Sequence, residues 1–304
     1  GGPGSAGPGP ALRLVFLEDR AEAFRAFFDD RIDMLAMDAA ETARMARLLS
    51  VRMALYPGNR YLFLLVNPSR DADPEGPSLA EGLRQAIQSL DPAALVDETR
   101  IRMSPLPFPP GSRWLAALRP TLRPPSRPTW PEGLDTIRIL ADPGSPVQQA
   151  FLPVLLQSLA NAGIGAVSMA PPPDLPYLDA LGSSGYDGAM VDLPVSPVPS
   201  VLWWLSSDDP NLPPDLAGFP DPVGRSSDPL LVGELADCLR QAPFPSGPDP
   251  FDSLPDRILS ASGLVGIGFS EEGVLLGPRV RGSLAPGIDN PFEGMEGVRA
   301  WPGS

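Results

Sequence analysis

The sequence contains no histidine and no lysine, and it has a single cysteine, Cys238. Without histidine the chain cannot assemble a Ser-His-Asp or Cys-His catalytic system, and it lacks the usual zinc sites. One cysteine forms neither an internal disulfide nor a metal cluster. Cys238 lies among leucines at helical spacing, which predicts a buried structural thiol rather than a reactive one.

The charge is strongly one-sided. All 23 basic residues are arginine, and the net charge is −14. There is no basic stripe with interleaved aromatic residues, so we expect no nucleic-acid partner. No apolar run approaches the roughly 20 residues that span a bilayer, and no signal peptide is visible.

The first ten residues, Gly1–Pro10, are only glycine, proline, serine and alanine. This composition predicts a flexible tether or a cloning scar. It is also what commonly follows the acylated cysteine of a bacterial lipoprotein. We therefore expect a lipoprotein whose signal peptide and anchor cysteine have been removed.

The middle of the chain, Leu134–Asp192, predicts strand, helix, strand, helix, strand. The strands are Ile137–Leu140, Ile164–Met169 and Tyr186–Val191, and the helices are Pro146–Ala162 and Tyr177–Leu181. Alternation of this kind favours a parallel sheet, because a parallel crossover needs a covering helix. Such sheets bind ligands beyond the carboxyl ends of their strands.

The flanking sequence predicts further α/β structure. Helices are expected at Asp19–Phe28, Ala39–Leu49, Ser78–Leu90, Pro92–Asp97 and Pro229–Gln241, and strands at Leu12–Phe16, Ile32–Ala36 and Tyr61–Val66. The Pro-rich stretch Ser104–Glu132 predicts a linker or wrapping loop. The apolar run Gly263–Leu276 is expected to break at a turn over Ser270–Gly273.

Five segments resemble, in the same order, segments of the family 5 extracellular solute-binding proteins, the oligopeptide- and dipeptide-binding class of ABC importers. They are Phe24–Met34, Tyr61–Asn67 (YLFLLVN), Gly82–Val96 (GLRQAIQSLDPAALV), Ile137–Asp192 and Gly277–Leu284 (GPRVRGSL). Gly82–Val96 is the most specific. The resemblance implies an α/β, two-lobed periplasmic-binding-protein-like (type II) fold with a hinge.

The resemblance also implies a domain organisation. After the tether at 1–10, we expect lobe I at 11–103 plus 277–304, a Pro-rich hinge at 104–133, lobe II at 134–262 and a return strand at 263–276. The implied function is the substrate-binding component of an ABC importer, closing on a peptide-like or other small solute without catalysis. Permease subunits are the implied partners, and the implied location is periplasmic or extracytoplasmic, either free or lipid-anchored. We expect a monomer without metal or cofactor.

The chain departs from the family in two places. The long segment that usually precedes the matched part is not in this sequence, as expected of either a fragment or a minimal relative. The usual Trp-then-Asp after the third strand is replaced by VDLPVSPVPS at Val191–Ser200. These departures keep an alternative open, in which the chain is a degenerate relative that acts as an envelope or interaction protein without a small-molecule ligand.

Two candidate ligand residues end predicted strands. Asp192 could face the cleft and pair with a cationic group, or be a turn residue before Leu193-Pro194. Asn67 could donate to a ligand carbonyl, or simply close the strand before Pro68.

Four more candidates lie in Pro-rich stretches. Trp203 and Trp204 are adjacent, so on a strand at most one would line the cleft, and both could instead pack under loops. Arg113 and Trp114 could reach a ligand carboxylate from the inter-lobe loop, or be solvated.

An enzyme using carboxylates alone is the least favoured class. The acidic pairs Asp29-Asp30, Asp208-Asp209 and Glu271-Glu272 are adjacent in sequence, whereas glycosidic catalysis needs two carboxylates facing each other across a cleft. We interpret all three pairs as solvated turns.

Overall fold

The computed structural model describes residues 13, 15–46, 48, 51–67, 77–107, 127–181, 185–195, 264–287, 290–295 and 298–300. In chain order the elements are α1 Arg20–Phe28, β1 Met34–Met37, α2 Ala39–Met45, β2 Arg52–Val66, α3 Leu79–Gln88, α4 Pro92–Thr99, β3 Ile101–Met103, β4 Thr136–Leu140, α5 Pro146–Asn161, β5 Gly165–Met169, α6 Tyr177–Ala180, β6 Gly188–Pro194, β7 Leu264–Leu276, β8 Val280–Arg281 and β9 Arg299–Ala300.

The chain divides into two compact units. The first unit is Gly1–Gly58 with Glu271–Ser304, and the second unit is Asn59–Ser270. The sequence-based boundaries differ from this division, because residues 59–103 fall in the same unit as the β/α region. The proposed lobes and hinge stay a prediction.

In the second unit the strand order is β7-β2-β6-β4-β5, and β3 pairs with β7. Strand β4 is parallel to both β5 and β6. Strand β2 is antiparallel to β6, from Arg60 opposite Pro194 to Val66 opposite Gly188. The predicted β/α unit is therefore confirmed, with each of its five elements within a few residues of its expected bounds.

The helices of this unit begin where their caps predict. Ser145 precedes α5 and accepts a hydrogen bond from the Gln148 amide (3.2 Å), and Pro146 occupies the first turn. Ser78 caps α3 in the same way through the Glu81 amide (3.4 Å). A side chain that satisfies an otherwise orphaned amide fixes where each helix starts.

The core of the second unit lies between the sheet and helices α3, α4 and α5. Residues Tyr61–Val66 of β2 are almost fully buried, which is the mark of a strand covered on both faces. The largest buried cluster comprises Leu62, Leu64, Val66, Leu79, Ala80, Leu83, Ala86, Ile87, Leu95, Ile101, Ile137, Ile139, Ala141, Phe151, Leu155, Leu159, Ile164, Met190, Val265 and Ile267. Burial of this apolar surface is the main stabilising term of the unit.

The described end of the Pro-rich segment is docked onto this core. Trp130 Nε1 donates to the carbonyl of Ala162 after α5 (3.3 Å), and its indole packs over α3. A Cβ on Gly82 would come within 2.6 Å of that indole, so α3 needs glycine there. Residues 127–133 thus include a contact to this core, and the role of the whole stretch as a linker or wrapping loop stays a prediction.

The predicted turn at Ser270–Gly273 is wrong. Strand β7 runs without interruption from Leu264 to Leu276. Ser270 and Glu271 are buried, so the interpretation of Glu271-Glu272 as a solvated turn is also wrong. Glu272 instead accepts a hydrogen bond from the Tyr56 hydroxyl (3.1 Å) in the first unit. Sheet pairing on β7 overrides the local turn propensity of the sequence.

Two glycines of β7 permit a close backbone crossing. A Cβ on Gly268 would lie 2.1 Å from the carbonyl oxygen of Arg102, and one on Gly266 would lie 2.2 Å from that of Pro105. These distances are far below any van der Waals contact. Strand β3 and the residues just after it can approach β7 this closely only because both positions lack a side chain.

The first unit is smaller and has its own apolar clusters. Strand β1 pairs antiparallel with the end of β7, with Met34 opposite Leu276. Helix α2 begins with a capping box in which Asp38 and Glu41 bond each other's backbone amides. The main cluster comprises Ala23, Phe27, Leu35, Met37 and Leu275.

Two predictions about the first unit need correction. The described residues of Leu12–Phe16, which are 13, 15 and 16, form no strand, and Phe16 is 89% exposed. Strand β2 begins at Arg52 rather than Tyr61 and passes through Pro57-Gly58. Its register with β6 starts only at Arg60, so Pro57 lies before that paired stretch, where a missing N–H is tolerated.

None of the helices in the described ranges combines the length and apolar character needed to cross a membrane.

We predict that Gly268→Ala lowers the free energy of unfolding by about 1–3 kcal/mol, the usual cost of overpacking. Gly188→Ala is the matched control, because the nearest atom that its Cβ would meet is the Ile139 Cδ1 atom, at an ordinary 3.4 Å. Urea denaturation of both variants checks this. Equal losses of stability in the two variants would contradict the close approach of another backbone segment to β7 at Gly268.

All four tyrosines of the chain are shielded from water, and burial raises the pKa of Tyr56, Tyr61, Tyr177 and Tyr186. The folded state therefore holds each phenol neutral above the ordinary tyrosine pKa of about 10.

We predict that no tyrosine ionises near pH 10 while the protein is folded. The unfolded chain loses these protons at lower pH, so this part of the stability is present below about pH 10 and is lost as pH rises above it. Alkaline titration followed by tyrosinate absorbance and circular dichroism should show ionisation coinciding with unfolding. In urea the same phenols should titrate at their ordinary pKa. A phenol that titrates normally before unfolding begins would contradict this.

Candidate functional site

The candidate site lies at the carboxyl edge of the parallel strands in the second unit. Strand β4 is central, and the chain leaves it to form β5 on one side and later β6 on the other. The connections therefore diverge at β4, which is the arrangement that opens a crevice at this edge. The pairing of β4 with β6 ends at Leu140 opposite Ala189, while β6 continues to Pro194 along β2. The end of β6 thus projects beyond β4 and forms a step.

Asp192 is on this projecting part of β6, and its side chain is only 7% exposed. Its Oδ1 accepts hydrogen bonds from Ser145 Oγ (3.0 Å) and Gln148 Nε2 (2.9 Å). Its Oδ2 accepts from Arg60 Nε (3.0 Å) and Nη2 (2.6 Å). A carboxylate has about four acceptor positions, so Asp192 is saturated by the protein itself.

The groups around Asp192 are themselves held in place. Gln148 is buried, and its Oε1 accepts from the backbone amide of Asp142 (2.7 Å). Ser145 is the cap of α5 and is also buried. The amino end of α5 and the loop after β4 are therefore tied to β6 through one carboxylate. Such a connected polar network fixes geometry more tightly than isolated contacts do.

Arg60 comes from β2, which is antiparallel to β6, and so it reaches the same edge. Besides the two bonds to Asp192 Oδ2, its Nη2 donates to the Asp192 carbonyl (3.1 Å). Its side chain is 41% exposed, and its Nη1 makes no hydrogen bond to any part of the chain that the structure describes. The guanidinium is thus fixed on one side and open on the other.

Tyr177, at the start of α6, fills the step between β4 and β6. Its hydroxyl lies within hydrogen-bonding reach of the Met190 carbonyl and of the Leu140 carbonyl (3.3 Å). Burial is the main cause of its raised pKa, and the nearby carboxylates of Asp142 and Asp192 add to it. Tyr177 therefore stays a neutral donor even above the ordinary tyrosine pKa of about 10.

The structure does not bring the predicted residues Asn67 and Asp192 together. Asn67 lies at the other end of β6, where its Nδ2 donates to the Tyr186 carbonyl (3.0 Å) and its amide donates to the Asp187 carbonyl (2.9 Å). It is 6% exposed. This geometry is that of a strand-end tie, and a contact from Asn67 to a ligand stays a prediction.

A second arginine–aspartate pair also lies at that opposite end. Asp187 is 3% exposed in its side chain and accepts from Arg138 Nε (3.1 Å) and Nη2 (3.0 Å). The guanidinium of Arg138 is 34% exposed. The pair has the chemistry of Arg60–Asp192 but sits at the amino ends of β4 and β6.

The remaining predicted residues Arg113, Trp114, Trp203 and Trp204 lie outside the described residues, as does Cys238. Their roles stay predictions.

Sequence reasoning missed the residues that hold Asp192. They are Arg60, Ser145 and Gln148. It also missed Tyr177, whose hydroxyl bonds the carbonyls of Leu140 and Met190 beside Asp192. The one local signal was Ser145, since a serine before Pro146 and a helical run is a cap that follows a strand. Nothing local pairs Arg60 with Asp192, which is 132 positions further along the chain.

The fold places this chain among known architectures. Neither a family profile nor a curated protein sequence matches it. Its α/β fold matches solved structures of the periplasmic-binding-protein-like class, which confirms the predicted fold class. The structural neighbours are substrate-binding proteins of ABC transporters.

Three of these structures illustrate the likeness. The MppA periplasmic murein tripeptide binding protein, in its unliganded open form, has a TM-score of 0.62 and 12% identity over 93% of this chain and 56% of its own. An ABC transporter substrate-binding protein from Sinorhizobium meliloti has a TM-score of 0.56 and 14% identity over 94% and 61%. NikZ from Campylobacter jejuni, in complex with Ni(L-His), has a TM-score of 0.50 and 13% identity over 91% and 58%.

The chain thus spans about three fifths of the length of these proteins. At such low identity the likeness concerns the fold, and residue roles do not transfer with it.

We predict that Asp192→Ala lowers the free energy of unfolding by about 2–3 kcal/mol, the range for losing hydrogen bonds to a charged group. The variant leaves Ser145 and Gln148 without a buried acceptor, while Arg60 stays partly hydrated. Asp174→Ala is the control, because Asp174 is exposed and surface substitutions usually have little effect. Chemical denaturation gives the free energy of unfolding of both variants. Equal values for the two would contradict a stabilising hydrogen-bond network around Asp192.

Proposed function

We propose that this chain is the substrate-binding component of an ABC importer, of the family 5 class, and that it binds a peptide-like or other small solute without catalysis. The observation that carries the proposal is the fold likeness to ABC-transporter substrate-binding proteins, which extends over more than nine tenths of the chain. The five segments in family order support it independently.

The proposed ligand class follows the neighbours. One of them binds a murein tripeptide and another is complexed with Ni(L-His), so a peptide or an amino-acid-like solute is the first expectation. The proposed site includes the carboxyl edge with Arg60 and Asp192. Arg113, Trp114, Trp203 and Trp204, together with Asn67, are the other proposed contacts.

The proposal includes the cellular setting. The protein would act as a monomer outside the cytoplasmic membrane, free or lipid-anchored, and deliver its solute to permease subunits. Closure of two lobes, with the hinge in the Pro-rich segment at 104–133, would bury the ligand and present a surface to the permease.

A degenerate relative without a small-molecule ligand is the second candidate. Two observations favour it: Asp192 is saturated by neighbouring side chains, and Tyr177 fills the step beside it. In this reading the scaffold is kept as an envelope or interaction protein, and the carboxyl edge is purely structural.

A thermal-shift screen of the native protein against peptides, amino acids and sugars separates the two candidates. A true ligand at about 100 times its Kd adds about 2.7 kcal/mol to the stability and raises Tm measurably. We expect such a rise with at least one class of solute. Absence of any rise, in a sample that melts cooperatively, would leave the degenerate reading.

A further inference from the structure

We infer that Arg60 is an anchor for a carboxylate group of the bound solute, with Asp192 as its positioning residue. The inference rests on the proposed solute-binding function and goes further by naming the group recognised and the side chain that recognises it. It also reverses the sign of the sequence-based prediction, in which Asp192 would take a cationic group.

The first step is the exclusion of Asp192 as a direct contact. Both of its oxygens accept two hydrogen bonds from Arg60, Ser145 or Gln148, and the side chain is 7% exposed. No acceptor position is left for a ligand ammonium. A ligand cation could bind Asp192 only by displacing Arg60. The exchange would leave the guanidinium of Arg60 without its carboxylate partner, and it would only replace one positive charge beside Asp192 by another.

The second step is the geometry of Arg60. Its Nε and Nη2 are turned toward Asp192, so the guanidinium plane has a fixed direction. The Nη1 group carries two N–H donors, has no partner among the described residues, and belongs to a side chain that is 41% exposed. A half-exposed guanidinium whose rotamer is already fixed loses little entropy when it binds a carboxylate.

Third, the place of Arg60 in the sheet also favours contact with a ligand. Arg60 sits at the carboxyl edge beside β4 and β6, where the chain connections diverge and where sheets of this kind bind ligands. Arg138 makes the equivalent pair with the buried Asp187 at the amino edge, where no such rule applies. Among the described residues of the second unit, Arg60 and Arg138 thus have similar exposure and pairing, and Arg60 is the one at the carboxyl edge.

The fourth step concerns charge. The chain carries −14 overall, so its long-range field does not attract free anions. A local, fixed guanidinium still binds a carboxylate through charge-assisted hydrogen bonds at short range. This combination fits a solute that is neutral overall but ends in a carboxylate, such as a free amino acid or a short peptide.

The test compares an equimolar pool of tripeptides that have free carboxyl termini with the same pool amidated at the carboxyl terminus. Apparent affinities for native protein, Arg60→Gln, Arg60→Lys and Arg138→Gln come from thermal shift and native mass spectrometry. We expect the free-acid pool to bind about 10- to 100-fold more tightly than the amide pool, the range for a charge-assisted contact. Arg60→Gln should lose this preference, Arg60→Lys should retain part of it, and Arg138→Gln should retain all of it.

Each other outcome counts against the inference. Equal affinity for the acid and amide pools overturns it, and this comparison needs no variant to fold. An unchanged preference in Arg60→Gln, or the same loss in Arg138→Gln, overturns it too. In those cases ligand binding has been observed and the proposed function stands. If sugars bind but no carboxylate-bearing pool does, only the inference fails; if no solute of any class binds, the proposed function fails with it.

Discussion

The antiparallel pairing of β2 with β6 is the constraint on which the second unit depends. It joins the early part of the chain to the β/α unit, and it brings Arg60 opposite Pro194 at one end and Val66 opposite Gly188 at the other. Residues Tyr61–Val66 are apolar and buried on both faces, so alternation of side chains cannot choose the register. The ends choose it instead, through the amide of Asn67 on the Asp187 carbonyl and the amide of Val195 on the Asn59 carbonyl.

One arginine–aspartate pair lies at each end of β6. Each buries a carboxylate almost completely and leaves its guanidinium partly in water. A buried carboxylate is costly unless it is paired and hydrogen-bonded, so each pair commits its strand end to one neighbour. Asp187 links the amino end of β6 to β4 through Arg138, and Asp192 links the carboxyl end of β6 to β2 through Arg60. The same pairing also fixes the guanidinium of Arg60 at the carboxyl edge of the sheet.

The sequence predicted well where the signal is local. The helix beginning at Pro146 and the strands on either side of it were recovered, because a cap and an apolar period span only a few residues. The prediction failed where the local structure depends on pairing with a distant strand. The strand predicted at Tyr61–Val66 begins at Arg52 in the structure and includes Pro57-Gly58, and the turn predicted over Ser270–Gly273 lies inside β7, because strand pairing outweighs local turn propensity there. Asp192 was placed at the right strand end, but its saturation by Ser145, Gln148 and Arg60 had no local signature.

By itself, the sequence excluded chemistry that depends on histidine, lysine or paired cysteines. It also determined the alternation of strands and helices from 134 to 192. It also placed the starts of the helices near Ser78 and at Pro146, since each start depends on neighbours along the chain. Only the tertiary structure decided that Arg60 meets a carboxylate 132 positions away, and that this carboxylate has no capacity left for a ligand. The physical reason is that a contact of this kind is set by strand order and register, which no short stretch of sequence encodes.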